Sequence, residues 1–329
     1  MNANADRPPR PAEAQCARTV LMVRPASFCA NPETLATNAF QHVLSAPAGA
    51  LLSAAQAEFD AAVETLTAAG VEVVVLEADA AAETPDALFP NNWFSTHADG
   101  RVVLYPMAVP NRRRERRLQA LAALAERHGW QISRTVDLTG LEKRGLIVEG
   151  TGSLVLDRPA RLAYAARSAR THDEAVALAC AELGYEAVLF DAHDQAGREI
   201  YHTNVLMAVG PAIAVLASSL IAPGAGLRRV FDALERSDKQ LLDISCEQVA
   251  EFAGNALFLD GAYGPLVALS RRAWASLTRA QRILLEQHAR PVLCAVETIE
   301  HVGGGGIRCM LAEIFLPGSA TARARHLAF

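Results

Sequence analysis

Apolar side chains recur with a helical period of three to four residues in five stretches of this chain. The first runs from about Leu51 to Ala69 with Gly70 as its stop, and the others begin near Arg113, His172, Leu227 and Ala280. The second ends at Gly129 and the third at Gly184, where a glycine can adopt the left-handed conformation that closes a helix. The starts lie roughly 53 to 62 residues apart, a spacing that reads as a repeated architectural unit. A β-rich run follows each helix: Val71–Leu76, Gln131–Val136, Glu186–Phe190, Gln240–Ile244 and Val292–Val296. Shorter strand candidates stand between the helices: Trp93–Thr96 with Val102–Tyr105, Ser153–Asp157 with Leu162–Ala165, and Val205–Val209 with Ala212–Leu216. Asp99-Gly100 and Gly210-Pro211 mark turns among them. The pattern predicts an α/β fold of five ββαβ-like units. If such an array closed on itself it would enclose a central cleft. A two-domain doubly wound protein is the rival, weakened by the lack of a G-x-G-x-x-G loop after any strand.

Composition narrows the class. The 329 residues are 51% hydrophobic and 20% charged, which excludes disordered, collagenous and disulfide-scaffold chains. One domain over residues 18–329 is expected, preceded by a disordered tail over residues 1–17. That tail has no apolar signal core, and no window of 18 uncharged apolar residues exists, so a cytoplasmic protein without membrane contact is expected. A net charge of −5 argues against a nucleic-acid partner. The one basic cluster, Arg112-Arg113-Arg114 with Arg116 and Arg117, reads as the solvated face of a helix that buries Leu118, Leu121, Ala122 and Leu124. The six cysteines, Cys16, Cys29, Cys180, Cys246, Cys294 and Cys309, include no C-x-x-C pair and no zinc-type spacing. Free thiols and no metal site are therefore expected.

Candidate chemistry concentrates in Gly303-Gly304-Gly305-Gly306-Ile307-Arg308-Cys309-Met310. Four consecutive glycines suit a backbone that bends sharply or approaches a ligand closely. A cysteine beside an arginine after such a loop has the setting of an activated nucleophile, although a buried cysteine in a strand Cys309–Phe315 would read the same way. A thiol nucleophile needs a proton carrier. Among nine histidines His202 stands apart, because it precedes the apolar run Val205–Val209 and strand ends border clefts; a structural histidine there is the alternative. Glu149 closes the apolar run Ile147-Val148 and opens Gly150-Thr151-Gly152, as either a solvated turn residue or a cleft ligand.

Together these pieces resemble the guanidino-group-modifying superfamily, the penteins. Gly304-Gly305-Gly306-Ile307-Arg308-Cys309-Met310 is similar to the G-G-G-x-R-C-M nucleophile segment of the deiminases. His202-Thr203-Asn204 is similar to H-x-D, Glu149-Gly150 to the start of E-G-G-D, and Ser168-Ala169-Arg170-Thr171 to S-x-R-T. Phe89-Pro90-Asn91-Asn92-Trp93 and Asn38-Ala39-Phe40-Gln41 resemble the amidinotransferase-like subgroup named for citrulline utilisation. The resemblance implies a five-bladed α/β propeller and a cofactor-free hydrolase of a small amino acid. In it Cys309 attacks the guanidino or ureido carbon, His202 moves the proton, and Glu149 bonds a substrate N–H. Arg170 would pair with the substrate carboxylate, while Asn92 and Trp93 line the cleft. His97 and Asn204 fall where deiminases carry two aspartates, which favours a neutral ureido group and a route from arginine or citrulline to ornithine. A deiminase, a dimethylarginine hydrolase and an amidinotransferase remain alternatives, as does a non-catalytic ribosome-binding relative; a homodimer is left open.

Overall fold

The computed structural model describes residues 13–318. Its strands are β1 (Thr19–Arg24), β2 (Glu72–Glu77), β3 (Phe94–Thr96), β4 (Arg101–Leu104), β5 (Arg134–Asp137), β6 (Val155–Asp157), β7 (Leu162–Ala166) and β8 (Glu186–Phe190). They continue as β9 (Met207–Val209), β10 (Ile213–Leu216), β11 (Gln240–Asp243), β12 (Leu257–Gly261), β13 (Gly264–Ser270), β14 (Arg290–Cys294) and β15 (Ala312–Ile314). The five long helices are α1 (Ala48–Ala68), α2 (Leu118–His128), α3 (Asp173–Leu183), α4 (Ala225–Arg236) and α5 (Arg279–His288).

These elements form five three-stranded sheets of one design. In each, the middle strand pairs antiparallel with one neighbour and parallel with the other: β3-β4-β5, β6-β7-β8, β9-β10-β11, β12-β13-β14 and β15-β1-β2. A long helix makes every parallel crossover, as parallel strands require. The last sheet takes its antiparallel strand from the end of the chain, with Thr19 opposite Ile314 and Leu21 opposite Ala312.

Burial grades across each sheet. The middle strands β4, β7 and β10 are buried throughout, as expected of strands covered on both faces. The outer strands β2, β5 and β11 each bury a single side chain and leave the rest exposed or half-buried. α1 inserts Leu51, Ala55, Phe59, Ala62 and Leu66, one helical stripe, into the core. Gly129 and Gly184 end α2 and α3 at φ 68° and 75°, where a Cβ would be strained.

Two expectations are corrected. Residues 13–17 are not a loose tail. Gln15 Nε2 donates to the Leu156 and Val209 carbonyls, each at 2.9 Å, and Gln15 Oε1 accepts from Arg158 N. Ala17 then bridges to Leu259, so the segment crosses β6, β9 and β12. Residues 1–12 of the expected tail lie outside the described residues. The basic cluster does not open one continuous helix either. Pro110–Arg113 form a separate helical turn, and Arg112 is buried.

Candidate active site

Cys309 sits in a helical turn, Ile307–Met310, and not in the strand that follows. It is 3% exposed. Its sulfur receives Asn255 Nδ2 at 3.2 Å and Asn204 Nδ2 at 3.5 Å. His202 immediately precedes the 3-10 turn Thr203–Val205 that leads into β9. Glu149 caps the turn Gly150–Ser153. Although 53 residues separate them, His202 Nε2 and Glu149 Oε2 meet at 2.8 Å.

The electrostatics of this pair fix its proton. Burial alone would push the Glu149 carboxyl up, but Arg170, His202 and Arg112 outweigh it and hold the group well below the usual carboxylate range. An ionised carboxylate only accepts, so His202 donates from Nε2 and keeps Nδ1 as its basic nitrogen. Burial, helped by Arg170 and Arg112, brings the imidazole down to about 4 against the opposing pull of Glu149. Glu149 Oε1 accepts from Ala108 N at 2.9 Å, so both carboxylate oxygens are engaged. Its geometry orients the histidine. Gly152 makes room for this: a Cβ there would lie 2.8 Å from His202 Nδ1 and closer still to Asn92 Nδ2.

Cys309, His202, Asn92, Arg112, Arg170 and Asp86 line one small cavity. Asn38 also lines it, and residues 38–41 are tied to the glycine run, with Asn38 Nδ2 donating to Gly304 O and Gln41 Nε2 to Gly303 O. Several buried polar atoms at the cavity or beside it lack a protein partner: Asp86 Oδ1, Asn92 Nδ2, Asn204 Oδ1 and Arg170 Nε. Buried orphans of this kind are expensive unless a ligand satisfies them. Asp86 Oδ2 accepts from Asn31 Nδ2 at 2.7 Å; burial raises its carboxyl, with Arg112 opposing. Arg112 is itself neutralised by Glu115, two bonds of 2.9 Å, and donates to Asn92 Oδ1.

Of the residues expected from sequence, Cys309, His202, Asn92 and Arg170 therefore face one cavity, Asn204 contacts the Cys309 sulfur, and Glu149 bonds His202. Two do not join them. His97 shares a strand face with Ser95, two residues before it, and that face looks toward Glu13 and Tyr105. Its Nε2 lies 2.9 Å from Ser95 Oγ and its Nδ1 3.6 Å from Glu13 Oε1. The aspartate-to-histidine exchange expected at His97 thus has no bearing on the cavity, where Asn92 stands instead. Trp93 packs in the core against Phe94 at 4.3 Å between ring centres. Sequence reasoning missed Asp86, Arg112 and Asn255. Asp86 stands three residues ahead of the Phe89-Pro90-Asn91-Asn92 segment already singled out, and Arg112 was hidden among arginines that are indeed half-exposed or exposed. Among the described residues no cluster of His, Cys, Asp or Glu could hold a metal ion, and no helix is long and apolar enough to cross a membrane.

Comparison with known proteins follows the same lines. The family model described as N,N dimethylarginine dimethylhydrolase, eukaryotic, matches residues 24–316. No curated protein sequence matches the chain. Among solved structures, the fold is similar to apo ArgZ, an arginine dihydrolase from the ornithine-ammonia cycle in Cyanobacteria, with a TM-score of 0.69 at 16% identity. That match covers 92% of this chain but 42% of the other, so this chain spans about two fifths of ArgZ. The N-terminal domain of ArgZ alone is covered to 99%, with a TM-score of 0.66 at 16% identity over 91% of this chain. A dimethylarginine dimethylaminohydrolase adduct with S-methyl-L-thiocitrulline is similar at a TM-score of 0.63 and 13% identity, covering 90% of this chain and 99% of that one.

Proposed function

The chain belongs to the N,N-dimethylarginine dimethylhydrolase family of the pentein guanidino-modifying superfamily, and on that premise we propose that it hydrolyses arginine through to ornithine. It is a hydrolase of guanidino C–N bonds; the two-step route and the residues that carry it are our reading. We read the five sheets as blades of one ring, because β15 pairs with β1 and the inner strands β15 and β3, β6 and β9, and β9 and β12 lie side by side. The observation that carries the substrate assignment is the polar lining of the cavity. One carboxylate with a free oxygen, Asp86 Oδ1, shares it with the free amide donor of Asn92, and the free amide oxygen of Asn204 lies beside the sulfur. Asp86 can hold the cationic guanidinium of arginine. The amides can hold the neutral ureido group that forms from it, since Asn92 offers a free donor and Asn204 a free acceptor.

In the first step the Cys309 thiol proton passes to His202 Nδ1 as Sγ bonds to the guanidino carbon, and the departing nitrogen takes that proton from His202 and leaves as ammonia. Water then adds to the S-linked carbon with its proton passing to His202; the C–S bond breaks and citrulline forms. A second attack on the ureido carbon releases ornithine. Water then frees the carbamoyl group from sulfur as carbamic acid, which decomposes to ammonia and carbon dioxide. Burial pushes the resting Cys309 thiol up and His202 down, so both are neutral in the empty site. A guanidinium entering beside the sulfur favours the thiolate, which confines the reactive anion to the loaded enzyme. Arg170 stands where the cavity meets an outer cleft and supplies the charge for the substrate carboxylate. The cytoplasm, where arginine is available, is the proposed site of action.

The test is product analysis with arginine, citrulline and asymmetric dimethylarginine as separate substrates. Two ammonia and one ornithine per arginine, with no turnover by Cys309→Ser, supports the two-step reading. Accumulating citrulline reduces it to a deiminase, dimethylamine release makes it a dimethylarginine hydrolase, and silence with all three ends it.

A further inference from the structure

The nucleophile has a neighbour to which the reaction scheme above gives no role. Asn255 stands in the turn ahead of β12, 1% exposed. Its Nδ2 is 3.2 Å from Cys309 Sγ and 3.0 Å from the Asn204 carbonyl, while its Oδ1 accepts the Arg308 backbone N–H at 3.2 Å. These three contacts leave the amide only one orientation. Arg308 N can only donate and Asn204 O can only accept, so the nitrogen of Asn255 must face the sulfur. Gly306 permits the approach, because a Cβ there would lie 2.7 Å from Asn255 Oδ1. The second contact of the sulfur, Asn204 Nδ2, is also a donor. A sulfur approached by two N–H groups is bonded better as an anion than as a thiol.

We propose that Asn255 is a catalytic residue that receives the Cys309 sulfur as a thiolate. The proposal rests on the reading of Cys309 as nucleophile. Asn255 acts twice in each hydrolysis: before attack, when it holds S⁻ ahead of C–S bond formation, and at release, when the C–S electron pair returns to sulfur. Water supplies the new C–O bond in that second step, and its proton goes to His202. Other charged or titratable groups also face the sulfur: Arg308 on its own turn, Arg112 from the Pro110–Arg113 turn, and His202, Asp86 and Tyr201 around the cavity. Burial is the largest influence on the thiol and raises it, and Asn255 is foremost among the groups that draw it back.

The experiment is the pH dependence of Cys309 alkylation by iodoacetamide, followed on the Cys309 peptide by mass spectrometry, alongside steady-state kinetics with arginine. In Asn255→Leu, which keeps the branched shape and removes the donor, the alkylation midpoint should rise by about one to two pH units. At neutral pH kcat should fall roughly tenfold to a hundredfold with KM nearly unchanged. Asn255→Ser, too short to reach the sulfur, gives the same readout should the leucine variant fail to fold. An unmoved midpoint in a folded variant overturns the role of Asn255 while leaving the nucleophile intact. A Cys309→Ser protein that still turns over arginine overturns both.

Discussion

Replacing Glu149 with glutamine changes one oxygen for nitrogen and tests the electrostatic logic of the whole site. The carboxylate takes the Nε2 proton of His202 at 2.8 Å and faces Arg170 and Arg112 at 3.6 and 3.8 Å. Arg112 retains its two bonds to Glu115, so its charge stays compensated. The Arg170 side chain keeps the Thr37 hydroxyl and the face of Tyr201. Leaving one buried arginine without a carboxylate costs about 3 kcal/mol, expected as a fall of several degrees in Tm. The catalytic loss should be larger. A glutamine amide can present its N–H₂ to the ring and reverse the tautomer, and the lost charge-assisted bond alone amounts to about 1.5–3 kcal/mol. A reduction in kcat of about a hundredfold or more is expected, with Cys309 still open to alkylation. Stopped-flow ammonia release and thermal unfolding of Glu149→Gln measure the two effects separately. If kcat stays within threefold of the parent in a folded variant, Glu149 does not orient His202 and the argument from geometry fails.

Three further outcomes follow from the same contacts. The folded-state value of His202, about 4, lies below that of the unfolded chain, so only the unfolded state binds this proton between the two values. His202 should therefore remove about 3 kcal/mol of stability as pH falls from 6.5 to 4, seen as a steeper acid limb in the parent than in His202→Asn in urea titrations at stepped pH. Equal slopes would contradict a neutral buried imidazole. Gly152→Ala drives a methyl against His202 Nδ1 and Asn92 Nδ2; kcat should fall at least tenfold while cooperative unfolding persists, and an unimpaired variant would show that the two side chains can yield. Gln15→Leu strips partners from two strand carbonyls and one N–H, a loss of about 2–4 kcal/mol that chemical denaturation should register with kcat per folded molecule unchanged.

What the chain revealed about itself followed from the range of the forces involved. Helices and strands announced themselves because their signals are local: α1 fills one apolar stripe, α2 and α3 stop at glycines, and Glu186–Phe190 falls where the β-rich run lies. The glycine run and its cysteine were equally local. Distances and charge states were not. Whether Glu149 bonds a substrate or a histidine depends on a contact across 53 residues, and which cluster arginine enters the cavity depends on the proline-led turn ahead of it. His97 and Asn92 mark the limit well. Both lie within nine residues of Phe89, both are buried, and both are plausible cavity ligands by type. Strand alternation sends His97 toward Glu13, whereas the 3-10 turn Pro90–Asn92 holds Asn92 at the cavity wall beside Arg112. The proposed substrate assignment changes its residues accordingly. On the proposed reading the amides of Asn92 and Asn204 meet the substrate, and the carboxylate with a free oxygen beside them, Asp86, lies in a segment the motifs did not mark. On that reading, specificity for the ureido group would rest on how Asp86, Asn92 and Asn204 divide one substrate among them, a division set by packing between sheets that no single stretch of sequence encodes.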